Sequence, residues 1–184
     1  VETVRRDLEK VLVNIPIDSV AVLHSKTIAP LSTKEFQKQL HGVSVKAITR
    51  IGKLLIFELH KATEVLLVHL KMTGQLIYQN NNKTLAGGHS LTESLTELPN
   101  KHTRLAVTFA NGGQLFFNDL CLFGYWKFVT LTELEKIKNK YGIEPLTDNF
   151  TWPNFKQALG KRTANCKVVL LNQTIVSGMG NIYV

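Results

Sequence analysis

Cysteine and long apolar runs are scarce in this sequence. Its two cysteines, Cys121 and Cys166, make neither a disulfide framework nor the paired spacing of a metal site, so we expect a reducing, cytoplasmic location. No stretch reaches the roughly 18–20 apolar residues of a membrane helix, and no charged-then-apolar signal segment occurs among the 184 residues. Because 44% of the residues are hydrophobic, the chain can still bury one large domain, or one domain and part of another.

Acidic residues are outnumbered. The chain has 14 Asp and Glu against 22 Lys and Arg, which gives a formal net charge of +8. This excess favours an anionic partner, most often nucleic acid, with ordinary solubility charge as the alternative. The basic residues are scattered along the sequence, so only the fold can bring them onto one face.

Short alternating segments dominate residues 17–129 and predict a β-sandwich or barrel. A hairpin turn is indicated at residues 111–113, whereas residues 80–100 are polar and predict a long loop. The predicted strands are residues 17–24, 43–50, 54–59, 65–70, 75–79, 104–110, 114–118 and 123–129.

Helices are predicted before and after this β-rich region. Residues 1–13 have the apolar spacing of an amphipathic helix, and capping boxes at Ser32 and Thr130 begin two more. Thr151 can cap a helix over residues 152–160, and residues 167–172 are helical as well. We therefore predict an α+β chain with two parts, an N-terminal β domain at residues 1–135 and the start of a helical domain at residues 136–184.

Both ends of the sequence are expected to be cut. No capping residue precedes the helix at Val1, and a helix opening at Asn181 would have only three further residues. Gly178 and Gly180 can nevertheless bring backbone N–H groups close to a phosphate, with Asn181 beside them.

Two candidate sites lie at strand ends. Lys53 enters a buried strand, where desolvation would lower its pKa and suit it to proton transfer; a solvated lysine is the plainer interpretation. Met72 follows His69 before a glycine turn and could fill a gap left by a departed group, although most such residues are core.

Further candidates are cationic or apolar residues in turns. His102 belongs to a cluster that could touch phosphate, although a solvated strand end explains the cluster equally. Arg162 and Lys167 flank the last predicted helix and could also grip phosphates. Phe123 ends an apolar turn that could wedge into a base stack, although a buried turn is the commoner explanation. None of these signals is specific alone.

Six segments, taken in order, resemble the bacterial formamidopyrimidine-DNA glycosylases, which excise oxidised purines from DNA. The opening Val-Glu-Thr-Val-Arg-Arg of residues 1–6 matches the family as well. The segments are Gly-Lys-Leu-Leu at 52–55, His-Leu-Lys-Met-Thr-Gly at 69–74, Lys-His at 101–102, Asp119 with Phe-Gly at 123–124, Gly-Ile-Glu-Pro-Leu at 142–146, and Gly-Met-Gly-Asn-Ile-Tyr at 178–183.

The resemblance implies a β-sandwich followed by a helix–two-turn–helix domain, with DNA bent between them and the damaged nucleotide flipped out. An N-terminal proline attacks the sugar in that family and forms a Schiff base that ends in strand cleavage. Lys53 matches the lysine that assists elimination, and Met72 matches the methionine that fills the gap. His102, Arg162 and Asn181 match residues on the DNA backbone, with Lys167 nearby. The implied partner is duplex DNA with oxidised bases, and the implied protein is a nucleoid-associated bacterial monomer.

Three departures from the family pattern are visible. The family's opening Pro-Glu-Leu-Pro-Glu and its C-terminal four-cysteine zinc finger do not occur in residues 1–184, so we expect no zinc here and no borohydride-trapped adduct with 8-oxoguanine DNA. Cys121 and Leu122 stand where the family has two arginines, one of which pairs with the base opposite the lesion. A non-catalytic DNA-binding relative and an oxidised-pyrimidine glycosylase therefore remain as alternatives.

Overall fold

The computed structural model describes residues 1–60, 62–81, 83–88 and 97–184, with the backbone alone at residue 83. The chain divides into two compact units. Unit 1 comprises residues 1–50 and 54–129, and unit 2 comprises residues 51–53 and 130–184.

Unit 1 is a sandwich of two antiparallel sheets with helices beside them, as the sequence predicted. Its elements are α1 (Glu2–Leu12), β1 (Ile17–Val22), a 3-10 helix (Ser25–Ile28), α2 (Thr33–Leu40), β2 (Val45–Ile51), β3 (Leu54–Leu59), β4 (Glu64–His69), β5 (Gln75–Asn80), β6 (Lys83–Gly88), β7 (Thr103–Phe109), β8 (Gln114–Asn118) and β9 (Tyr125–Thr130). One sheet has the order β1-β7-β8-β5-β6 and the other β2-β3-β4-β9.

A hydrophobic core lies between the two sheets. Phe57 from β3 and Phe117 from β8 are almost fully buried in it, beside Trp126 from β9. Helix α1 adds Leu8 and Leu12, which fall on one face as its apolar spacing predicted. The α+β sandwich predicted from the alternating segments is therefore confirmed.

Strand β6 corrects the predicted loop over residues 80–100. Its residues pair with β5 from Gln75↔Gly88 to Asn80↔Lys83, after a turn in which Asn81 has φ +49°. Glycines usually weaken strands, but here α1 requires one, because a Cβ on Gly87 would lie 2.4 Å from Cγ2 of Val4. Of the rest of the predicted loop, residues 89–96 lie outside the described residues.

Unit 2 contains three short helices. They are α3 (Leu131–Lys138), α4 (Trp152–Leu159) and α5 (Cys166–Leu171). The capping box at Thr130 forms as predicted, and Thr151 accepts from the Asn154 N–H to cap α4. The assignment of this unit to a helix–two-turn–helix domain stays a prediction.

The segment after Gly180 forms a turn and not the helix considered from the sequence. Residues 181–183 are in this turn, and the Tyr183 N–H donates to the Gly180 carbonyl at 3.0 Å. Asn181 is exposed in it.

No described helix is long and apolar enough to cross a membrane.

Candidate functional site

Lys53 lies against residues 178–180 of unit 2, here called the glycine turn. Its ammonium Nζ donates to the Met179 carbonyl at 2.8 Å. A Cβ on Gly180 would come within 2.8 Å of Nζ, so only glycine leaves the ammonium this much room. Burial lowers the pKa of Lys53 from the ordinary value of 10.5, which increases the fraction of neutral amine near neutral pH.

Gln173 holds the same turn with both ends of its side-chain amide. Its Nε2 donates to the Met179 carbonyl at 2.9 Å, and its Oε1 accepts from the Gly178 N–H at 2.9 Å. Gly178 has φ +90°, a conformation that L side chains rarely adopt. The Met179 oxygen therefore receives two hydrogen bonds, one from Gln173 and one from Lys53.

Glu144 fixes the loop that carries Lys53. Its Oε2 accepts from the Gly52 N–H at 2.8 Å and from the Ser177 hydroxyl at 3.0 Å. The Tyr141 ring lies against Gly52, and burial raises the pKa of its phenol. Two residues before Glu144, the backbone of Gly142 packs directly on the backbone of Ile175. A Cβ on Gly142 would stand 2.2 Å from the Ile175 carbonyl.

Arg162 and Lys167 lie on helix ends of unit 2. Arg162 Nη1 donates to the Ala158 and Leu159 carbonyls at 2.7 and 2.6 Å. Its positive charge there interacts favourably with the negative C-terminal end of the α4 dipole. Lys167 is exposed in the first turn of α5, with its N–H bonded to Asn165 Oδ1.

In unit 1, Asp119 links the turn at residues 71–74 to the loop at residues 119–124. Its carboxylate is 1% exposed and accepts from the Thr73 hydroxyl and from the Gly124 N–H, the latter at 2.7 Å. The Thr73 hydroxyl oxygen also accepts from the Cys121 N–H at 3.0 Å. A Cβ on Gly124 would meet Phe117 Cζ at 2.5 Å, which restricts this position to glycine.

The two linked segments present apolar side chains to solvent. Met72 is 69% exposed and Phe123 is 59% exposed, so neither is the core residue that the plainer interpretation favoured. Leu120 is half exposed on the same loop. Large apolar side chains held outward on an anchored loop are typical of a binding surface.

His102 joins this region through its backbone. Its carbonyl accepts from the Asp119 N–H at 2.9 Å, and its own N–H donates to Asn100 Oδ1. His69 has a local role instead, since its Nδ1 accepts from the Lys71 N–H at 2.9 Å.

The described residues do not fit a zinc ion. Among them no group of three or more His, Cys, Asp or Glu side chains could hold a metal, and Cys121 and Cys166 are free thiols in different units. We therefore derive no step through zinc.

The sequence and the fold have counterparts among known proteins. Residues 1–126 match the family model for the formamidopyrimidine-DNA glycosylase N-terminal domain. The chain belongs to the formamidopyrimidine-DNA glycosylase family. It is 36% identical over its whole length to the formamidopyrimidine-DNA glycosylase of Pelotomaculum thermopropionicum and 34% identical to that of Enterococcus faecalis. It spans 62% and 61% of their lengths.

Solved structures of this family have the same fold. The Lactococcus lactis glycosylase in complex with DNA containing an abasic site superposes with a TM-score of 0.81 at 33% identity, over 99% of this chain and 62% of that one. A complex of the Lactococcus lactis enzyme with DNA containing a formamidopyrimidine-deoxyguanosine gives 0.80, also at 33% identity, over 99% of this chain and 63% of the other.

The segments that resemble the glycosylase family fall into two spatial groups. In unit 2, Gly52 and Lys53 of the first segment meet residues 142–146 and 178–183 through hydrogen bonds of Glu144 and Lys53. In unit 1, residues 69–74, 101–102 and 119–124 meet around Asp119. Sequence reasoning named Lys53 in the unit 2 group and Met72, His102 and Phe123 in the unit 1 group. It missed Gln173, Glu144 and Asp119, whose side chains hold the two groups together. Membership of matched segments pointed to Glu144 and Asp119, whereas nothing in the sequence singled out Gln173.

Proposed function

We propose that this protein acts in base-excision DNA repair, as a DNA glycosylase and abasic-site lyase for oxidised purines such as formamidopyrimidine and 8-oxoguanine. Family membership and the neighbouring DNA complexes support this proposal. The net charge of +8 suits a polyanionic partner.

The observation that carries the proposal is the placement of Lys53. A partly buried amine with a lowered pKa, on a glycine turn without side chains in its way, is suited to move a proton during elimination. We assign this step to Lys53, and we assign nucleophilic attack to none of residues 1–184.

The exposed side chains of unit 1 are assigned to the DNA stack. Met72 would fill the space that the flipped nucleotide leaves, and Phe123 would wedge between bases beside it. Both side chains are apolar, and the backbone segments that carry them are anchored to Asp119. Inserting these side chains into DNA therefore requires little further ordering of the protein.

The phosphate contacts are assigned to His102, Arg162 and Asn181, with Lys167 nearby. Phosphate contacts position a protein on a duplex without reading its sequence. Arg162, Lys167 and Asn181 belong to unit 2, the unit that we propose as part of a helix–two-turn–helix domain.

Damage-selective binding tests the proposal with the 184-residue chain. Fluorescence anisotropy should show tighter binding to a duplex with an abasic-site analogue than to the intact duplex. Met72→Ala should reduce this preference by about tenfold, equivalent to ~1.4 kcal/mol. Leu23→Ala, at a residue of unit 1 that is 54% exposed, is the matched control and should keep the preference. Equal binding to both duplexes by the unaltered chain would contradict the proposal.

A non-catalytic damaged-DNA binder is the second candidate. It is favoured by Cys121 and Leu122, because neither side chain can supply the charged hydrogen bonds of the arginines that the family usually has there. Sequencing the DNA on both sides of codons 1–184 separates the candidates. Codons for Pro-Glu upstream and for Cys-x-x-Cys pairs downstream would favour the enzyme; an open reading frame without them would favour the binder. An oxidised-pyrimidine glycosylase is tested by comparing thymine-glycol with 8-oxoguanine duplexes.

A further inference from the structure

We propose that Gln173 is a positioning residue that holds the Met179 carbonyl in place as the hydrogen-bond acceptor for Lys53. The inference rests on the proposed role of Lys53, and it adds a residue that neither the family motifs nor the sequence patterns indicated.

The amide of Gln173 spans the turn. Nε2 donates to the Met179 carbonyl at 2.9 Å and to the Leu171 carbonyl at 3.0 Å, while Oε1 accepts from the Gly178 N–H. Only a side chain that both donates and accepts can make these contacts, which restricts the choice to an amide of this length. The turn is thus fixed on both sides of the peptide between Gly178 and Met179.

The fixed carbonyl determines where the ammonium lies. Lysine has a flexible four-carbon stem and a strongly hydrated head, so a partly buried ammonium stays in place only while it has an acceptor. The Met179 oxygen is that acceptor, at 2.8 Å. If the carbonyl turns away, water outcompetes the protein and Lys53 moves outward.

Two other ionisable groups face this loop from neighbouring segments. They are the Glu144 carboxylate, bonded to the Gly52 N–H, and the Tyr141 phenol, whose ring packs on Gly52. Both contact the residue before Lys53, whereas Gln173 shares an acceptor atom with Lys53 itself. Gln173 is therefore the side chain best placed to control the ammonium without neutralising it.

Two substitutions separate the contacts. Gln173→Met keeps the length of the side chain and removes every hydrogen bond. Gln173→Glu retains an acceptor for the Gly178 N–H, cannot donate to Met179, and places a carboxylate near the ammonium. Gln157→Met, at an exposed residue of α4, is the matched control.

The measurement is the pH dependence of Lys53 acylation in the 184-residue chain, followed by peptide mass spectrometry with acetic anhydride as the probe. Protection of the Gly178 amide proton, followed by NMR, reports the turn, and circular dichroism melting reports folding.

We expect the acylation midpoint of Lys53 to move upward in Gln173→Met, because the released ammonium regains water. The expected change is about threefold in reactivity near pH 8, the effect of half a pKa unit. In Gln173→Glu the midpoint should move further upward because of the new carboxylate, while the Gly178 amide stays protected. Gln157→Met should match the unaltered chain.

A Lys53 midpoint that stays at its original value in Gln173→Met would overturn the inference, even if the variant melts at lower temperature, because a purely structural role changes melting alone. If Gln173→Met fails to fold, Gln173→Leu takes its place, because leucine also lacks a donor and an acceptor and adds no charge. The readout needs no DNA, so a chain with this coupling but without damage-selective binding would contradict the proposed function and not the role of Gln173.

Discussion

At the scale of single residues, the Glu2 carboxylate of unit 1 lies in a strongly cationic environment. Three guanidinium groups surround its carboxylate, those of Arg5 at 3.0 Å, Arg6 at 2.7 Å and Arg50 at 2.6 Å. The hydrogen bond from Arg5 is the largest cause that lowers the pKa of Glu2 from 4.5 to about 2, against the opposing effect of burial. The carboxylate therefore links α1 to β2 through Arg50.

Glu2→Gln should destabilise unit 1 at neutral pH. The full pKa shift corresponds to ~3 kcal/mol, and screening by water around a side chain that is 22% exposed reduces our expectation to about 2 kcal/mol. Because the folded state lowers this pKa, the stabilisation is complete above pH 4.5 and is lost as the pH falls through about 2. Urea unfolding at pH 7 and pH 2.5 checks this: the gap between the variant and the original chain should shrink in acid, and a constant gap would contradict it.

Two glycines of unit 2 should respond differently to alanine. At Gly180 the new methyl group meets the flexible end of Lys53, whereas at Gly142 it meets the backbone of Ile175 at 2.2 Å. We expect Gly180→Ala to change stability by about 0.5 kcal/mol or less and to displace Lys53, and Gly142→Ala to cost more than about 2 kcal/mol. Thermal melting and Lys53 acylation measure the two effects, and equal losses of stability in the two variants would refute the distinction.

At the scale of secondary-structure elements, the contact between α1 and β6 depends on one missing methyl group. Gly87→Ala would place a Cβ 2.4 Å from Val4 Cγ2, and overpacking of this kind costs about 1–3 kcal/mol. In a Val4→Ala background the obstructing γ-carbons are gone, so the same change should cost about 1 kcal/mol less. Urea unfolding of the four-member cycle measures this coupling, and additive losses would mean that the helix moves away freely.

Elements with local signals were predictable from the sequence. The capping boxes at Ser32 and Thr130 and the turn before β8 depend on residues within a few positions of one another, and all three form. Strand β6 was mistaken for loop because Gly87 and Gly88 lack β propensity. What stabilises them is pairing with β5 and contact with α1, and neither is visible in a local window.

The candidate site was predictable only in part, for the same reason. Lys53 was recognisable from its place before a buried strand. Its acceptor, Met179, lies 126 positions away, and Gln173 reaches the turn through side-chain contacts that have no periodic signature. Exposure of Met72 and Phe123 depends on Asp119, which ties their two segments together across 46 positions through Thr73. Long-range hydrogen bonds thus decide which of the candidates share a site.

At the scale of the whole molecule, the charge of +8 predicts that DNA binding weakens steeply as salt rises. Each phosphate contact contributes about −0.9 to the slope of log K against log salt on duplex DNA. Arg162→Gln with Lys167→Gln removes two proposed contacts and should make the slope shallower by about 2. Lys34→Gln with Lys38→Gln, two exposed residues of α2, lowers the net charge equally and is the matched control.

Anisotropy titrations of an abasic-site duplex between 50 and ~200 mM salt give both slopes. If contacts at particular residues determine the affinity, the slope of log K against log salt should be shallower for the Arg162 and Lys167 double variant than for the Lys34 and Lys38 double variant. Equal slopes for the two double variants would mean that total charge alone governs binding, and the assignment of Arg162 and Lys167 to phosphates would then be wrong. A slope near zero in the unaltered chain would remove the electrostatic basis for DNA binding altogether.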